Sequence, residues 1–184
     1  GLRVGDHARP HQRQVRPRRP GLAAGASLVS GASVAPQPAY GLAAAKLEAA
    51  AAANNAAHIF DRADLDNNGI LDRDEYEILA VVTAELAQLN GFIAIDAGRG
   101  LETVAIARAV DGSLDEASKA RIEDRAGREF RLFAGDDERL ASDEFVTAQL
   151  ELFLATDADR NGVLAGAELK SYANSQSKLA TLNS

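Results

Sequence analysis

The segment DLDNNGILDRDE, Asp64–Glu75, decides how this chain is read. Oxygen-bearing side chains stand at its first, third and fifth positions (Asp64, Asp66, Asn68), at its ninth (Asp72) and at its last (Glu75). Gly69 sits between them, where the backbone can make a sharp turn that a Cβ would resist. Ile70 follows and offers its carbonyl oxygen, so its side chain is free to be apolar. Oxygen donors folded around a tight turn suit a hard divalent cation. Leu71 is expected to point into the core and to make a short strand contact with a partner loop.

Working outward, DADRNGVLAGAE, Asp157–Glu168, repeats the pattern. Asp157, Asp159, Asn161, Gly162, the carbonyl of Val163 and Glu168 match one for one, and Leu164 takes the place of Leu71. The ninth position departs: Ala165 offers no oxygen, so a water is expected to stand in for that ligand. The first loop carries four carboxylate ligands and the second three, each offset by one arginine, Arg73 or Arg160. The second site is therefore expected to be the weaker. The flanks repeat too, with Phe60 and Phe153 each four residues before their loop, and Tyr76 and Leu169 just after it. An acidic surface turn would not be expected to repeat this spacing of oxygen donors, glycine and leucine within twelve residues, together with both flanks.

These two stretches and their flanking helices resemble the EF-hand superfamily, and bacterial EF-hand proteins more than any particular eukaryotic one. The resemblance implies Ca²⁺ held by oxygen ligands within helix–loop–helix units. Carried over by position, one ligand set is Asp64, Asp66, Asn68, Ile70, Asp72 and Glu75, and the other is Asp157, Asp159, Asn161, Val163 and Glu168. Glutamate at the last position suits an ion of this size, since both its oxygens can bind.

The remainder of the sequence predicts an all-α fold. Leu42–Ala63 is alanine-rich and expected to be helical. In Asp72–Asn90, Ile78, Leu79, Val82, Leu86 and Leu89 form an apolar stripe near the 3.6 period, and Asn90-Gly91 ends the helix. Phe92–Asp96 reads as either a short strand or an irregular link. Helix is expected over Glu102–Val110, Leu114–Phe133, Ser142–Thr156 and Gly166–Leu179, with a turn at Asp111-Gly112 and an acidic loop over Gly135–Ala141.

EF-hands pair, and the two good loops begin 93 residues apart, at Asp64 and Asp157. Either they pair directly around a helical insertion, or each has a degenerate partner. Asp111–Asp115 echoes half of a loop but has Ala107, Ala109 and Ser118 where ligands belong. Phe133–Glu144 is the better candidate, and the favoured expectation pairs it with the second loop through one shared helix.

Charge divides the chain. Before Ala45 stand six arginines and one aspartate; from Ala45 onward stand 14 basic and 26 acidic residues. Such an acidic body argues against nucleic acid and anionic lipid and suits a cation. Residues 1–41 place a basic stretch before the mildly apolar run Gly21–Ala35, the order of a secretory signal peptide. A periplasmic or secreted location is the resulting expectation. A disordered tail and linker, with a cytoplasmic body, is the alternative. The domain is then 42–184.

Calcium ions are the expected ligand, with one dedicated protein partner as a further expectation and no membrane span. The chain has no methionine, which argues against a pliable, promiscuous target groove. Sensor, buffer and calcium-dependent adaptor all fit, and the rival is a helical scaffold whose calcium is structural. An enzyme is not expected. The histidines are His7, His11 and His58, and His58 beside Ile59 and Phe60 reads as a partly packed helix residue. The AGRGLE stretch near Gly98 and Gly100 lacks the lysine and spacing of a phosphate loop.

Overall fold

A computed structural model describes residues 42–96 and 100–183. The basic and apolar N-terminal stretch, His7 and His11 and the first half of the AGRGLE stretch (97–99) lie outside the described residues.

The described chain is predominantly helical, as expected, and carries three small antiparallel pairings. In chain order it runs β1 (Lys46–Glu48), α1 (Ala49–Ala63), β2 (Ile70–Leu71), α2 (Arg73–Asn90), β3 (Phe92–Asp96) and β4 (Leu101–Ala105). It continues with α3 (Glu116–Ala134), β5 (Leu140–Ala141), α4 (Ser142–Thr156), β6 (Val163–Ala165) and α5 (Gly166–Gln176), closing on a 3₁₀ turn over Leu179–Asn183.

Two parts of this differ from the sequence expectation. The helix foreseen from Leu42 begins only at Ala49, because Lys46–Glu48 pairs with β6 and Leu47 is fully buried opposite Leu164. The helix foreseen over Glu102–Val110 is instead β4 and an irregular link. Its alanines suggest helix, but β-branched Thr103, Val104 and Ile106 stiffen the chain toward strand. Cross-strand pairing of Val104 with Ile93 then buries Val104. Phe92–Asp96 resolves as its strand partner. On its other edge β4 takes up the chain near Ala43: Ala44 N–H donates to the Thr103 carbonyl at 2.8 Å, and Thr103 N–H donates to that of Leu42.

Helix ends follow from local chemistry. Asp72 caps α2 by accepting from Glu75 N–H at 2.8 Å, while the Glu75 carboxylate accepts from Asp72 N–H at 3.1 Å. At the other end the Arg108 guanidinium donates to the carbonyls of Gln88 and Leu89. Buried Gln88 returns the contact, donating to Val110 and Gly112 carbonyls and accepting from Ala109 N–H. This fastens the irregular link to α2. The Asp111–Asp115 turn is therefore the lead-in to α3, with Asp115 its cap, accepting from Ser118 N–H at 2.7 Å. It follows a strand, not a helix, so the degenerate-hand reading of this turn does not hold.

Helix α1 packs on α4, and α2 on α3. Aromatic rings tie the pairs together: Phe60 meets Phe145 at 5.9 Å between centroids, Tyr76 meets Phe130 at 5.7 Å, and Phe153 meets Tyr172 at 6.1 Å. Of the foreseen aliphatic stripe on α2, Leu79 packs partly buried against the core, and the other four residues do not. The buried residues are Tyr76 and the small Ala80, Ala84 and Ala87, with Glu75 and Gln88 beside them. Ile78, Val82, Leu86 and Leu89 stay 47–73% exposed, the first three lining a cleft of about 570 Å³ with His58, Ile59, Leu65 and Leu101.

Candidate metal centres

Each acidic loop starts where a helix stops. Asp64 ends α1 and Asp157 ends α4, each with its N–H bonded to the carbonyl of the phenylalanine four residues earlier, at 2.9 Å. From there the two loops build the same hydrogen-bond net. Gly69 N–H donates to Asp64 Oδ2 at 2.8 Å, and Gly162 N–H to Asp157 Oδ2 at 2.8 Å. Asn68 N–H donates to Asp64 and Asp66, as Asn161 N–H does to Asp157 and Asp159. The amides of Asn68 and Asn161 donate to Asp66 and Asp159, and their oxygens accept from Ile70 and Val163 N–H at 2.8 Å. Glu75 reaches back to accept from Leu65 N–H at 3.0 Å, and Glu168 does the same with Ala158 N–H.

The net requires left-handed backbone at the fourth and sixth positions. Gly69 and Gly162 have φ of 80° and 79°, with open space where a Cβ would stand, so backbone strain alone demands glycine there. Asn67 and Arg160 have φ of 55° and 57°. Asparagine visits that region readily, whereas arginine is strained there.

The result is two clusters of three carboxylates. Asp64, Asp66 and Glu75 each place an oxygen within 4.8 Å of the others, and so do Asp157, Asp159 and Glu168. Either group could hold a metal ion, and an all-oxygen donor set fits a hard divalent cation. The first is the better enclosed: Asp64 and Glu75 are buried, whereas in the second only Asp157 is. Of the other foreseen ligands, Asn68 and Asn161 sit within the net, and Ile70 and Val163 lie in β2 and β6. Asp72 lies outside the carboxylate cluster, with its Oδ1 occupied in capping α2. Ala165 leaves the second loop without an equivalent cap, and Gly166 beside it takes φ of 54°.

Pairing of the loops overturns the favoured sequence expectation. Phe133–Glu144 pairs with the first loop, not the second: Leu71 lies opposite Leu140 and Ile70 opposite Ala141. The second loop pairs with β1, Leu164 opposite Leu47. All four leucines are 0–1% exposed. The foreseen shared helix is α4, running from β5 to Asp157. What the sequence reading missed is Leu47, although a signal was present. Leu47 precedes Asp64, and Leu140 precedes Asp157, by the same 17 residues.

His58 is 57% exposed, its Nδ1 3.5 Å from Asp96 Oδ2. No helix of the described residues is long and apolar enough to cross a membrane. No family model matches the sequence, and neither the curated proteins nor the solved structures yield a match.

Proposed function

We propose that the protein binds calcium through two EF-hand loops, Asp64–Glu75 and Asp157–Glu168, and acts as a calcium sensor, buffer or calcium-dependent adaptor. The observation that carries this reading is the recurrence of one hydrogen-bond net in both loops, each gathering three carboxylates at equivalent positions. Calcium would be held in the first loop by Asp64, Asp66, Asn68, the Ile70 carbonyl, Asp72 and Glu75. In the second, Asp157, Asp159, Asn161, the Val163 carbonyl and Glu168 would hold it. The protein's own contribution is to orient these oxygens and to offset their mutual repulsion with backbone N–H donors.

The adaptor form draws support from the half-exposed aliphatic side chains of α2, which lie in a cleft beside the first loop. The alternative, a scaffold with structural calcium, draws support from the loop pairings, which bury Leu47, Leu71, Leu140 and Leu164 in the core itself. Neither reading assigns a catalytic residue. Export to the periplasm or beyond would keep weak sites filled where calcium is abundant.

Removing one closing glutamate at a time tests the reading. Calorimetry should give two ions for the unaltered chain and one for Glu75→Gln or for Glu168→Gln, with the far-UV spectrum retained. Two ions bound by the double variant would exclude these loops as the sites. A calcium-induced change in ellipticity would favour the sensor or adaptor. A rise in Tm with an unchanged spectrum would favour structural calcium.

A further inference from the structure

The elements around the two loops repeat with a fixed offset. Helix α1 spans 49 to 63 and α4 spans 142 to 156, so both ends are displaced by 93 residues, the offset that separates Asp64 from Asp157. The paired leucines obey it as well, Leu47 with Leu140 and Leu71 with Leu164. Each repeat thus contains a short strand segment, a 15-residue helix and an acidic loop.

The segment at the head of each repeat lacks the loop's ligand pattern. Around β5, Phe133 and Gly135 occupy the places of Asp64 and Asp66, and Glu138 holds the left-handed turn at φ of 54° in place of Gly69. The strand segments nevertheless remain, and each pairs with the acidic loop of the other repeat. β1 pairs with β6, and β5 pairs with β2.

This exchange makes a closed circuit. β1 grips the second loop and passes without interruption into α1, whose far end delivers Asp64 to the first loop. β5 grips the first loop and passes straight into α4, whose far end delivers Asp157 to the second. A 15-residue helix is a rod of roughly 22 Å, stiff enough to transmit a displacement of either end. On the α1 side the link is tighter still, since Ala49 N–H donates to the Gly162 carbonyl, at the turn of the second loop, at 3.2 Å. The two rods pack on each other through Phe60 and Phe145.

We infer that the ligand-poor segments Lys46–Glu48 and Leu140–Ala141 are relays, coupling the two acidic loops positively through α1 and α4 although the loops never pair with each other. The inference rests on the calcium-binding reading. Ordering one loop fixes its strand, the strand fixes the opposite helix, and the helix fixes the first ligand of the other loop. Coupling of this kind is reciprocal.

Calcium titration of the full chain tests it, using unaltered protein, Glu75→Gln and Glu168→Gln, with circular dichroism to confirm folding. In the unaltered protein, the product of the two binding constants should exceed the product of the two single-site constants by at least about fivefold. Leu47→Ala, which alters none of the named ligand residues, should reduce that excess while leaving two ions bound. If it fails to fold, the two glutamine variants decide alone. Two ions bound with no excess would overturn the relay and leave the calcium reading intact. No calcium bound by the unaltered chain would overturn both.

Discussion

The two acidic loops are nearly superimposable in their hydrogen bonds, so their differences lie in single residues. Arg160 occupies a left-handed position that Asn67 fills in the first loop, and it brings a positive charge to the turn. Replacing it removes both disadvantages. Arg160→Asn is expected to raise stability by about 0.5–1 kcal/mol and to tighten calcium at the second loop. Thermal melting with and without calcium checks this, and a lower Tm in both conditions would count against it. The two carboxylate clusters, Asp64, Asp66 and Glu75 and their counterparts Asp157, Asp159 and Glu168, were legible in the sequence, because their residue types recur at fixed spacing. The division of labour at Asp72 was not. A carboxylate at a loop's ninth position can also cap the following helix, and only the structure shows Asp72 accepting from Glu75 N–H.

Among the elements, α2 shows how helical period can be right and its buried face wrong. The aliphatic residues recur at helical spacing, yet the buried face is made mostly of alanines around Tyr76. Close helix approach favours small side chains there, leaving the larger ones to line the cleft. Ala84 is fully buried, so Ala84→Leu should cost about 1–3 kcal/mol by overpacking. Leu89 is 73% exposed, and Leu89→Gln should change stability by no more than about 0.5 kcal/mol. Denaturant unfolding of both variants separates the two faces, and the reverse order of effects would restore the stripe as core. Helix and loop boundaries at α4 could be read from the sequence, since Thr156 gives way directly to the acidic loop. The β3–β4 hairpin could not. Its alanines speak for helix, and only pairing between distant residues lets Ile93 and Val104 outweigh them.

For the whole molecule, the pairing scheme is set by non-local contacts that no local pattern encodes, although the 17-residue spacing of Leu47 and Leu140 to their loops foreshadows it. The same core carries two buried phenols. Burial, then the negative charge of Glu129 and a hydrogen bond to it, raises the Tyr76 phenol far above its ordinary value of 10.0; burial pushes Tyr172 up to about 12. A phenol raised on folding stabilises the fold fully below its unfolded value. That contribution is lost as pH climbs from there toward the folded value. Tm should therefore hold to about pH 10 and fall steeply between about 10 and 12. Tyr172→Phe should flatten part of that fall, and an unchanged slope would remove Tyr172 from the account.

The central claim is that this fold exists to hold two calcium ions. Equilibrium dialysis of the full chain against millimolar calcium, with an excess of magnesium present, tests it most directly. The account predicts two calcium ions retained per chain. None retained would contradict it.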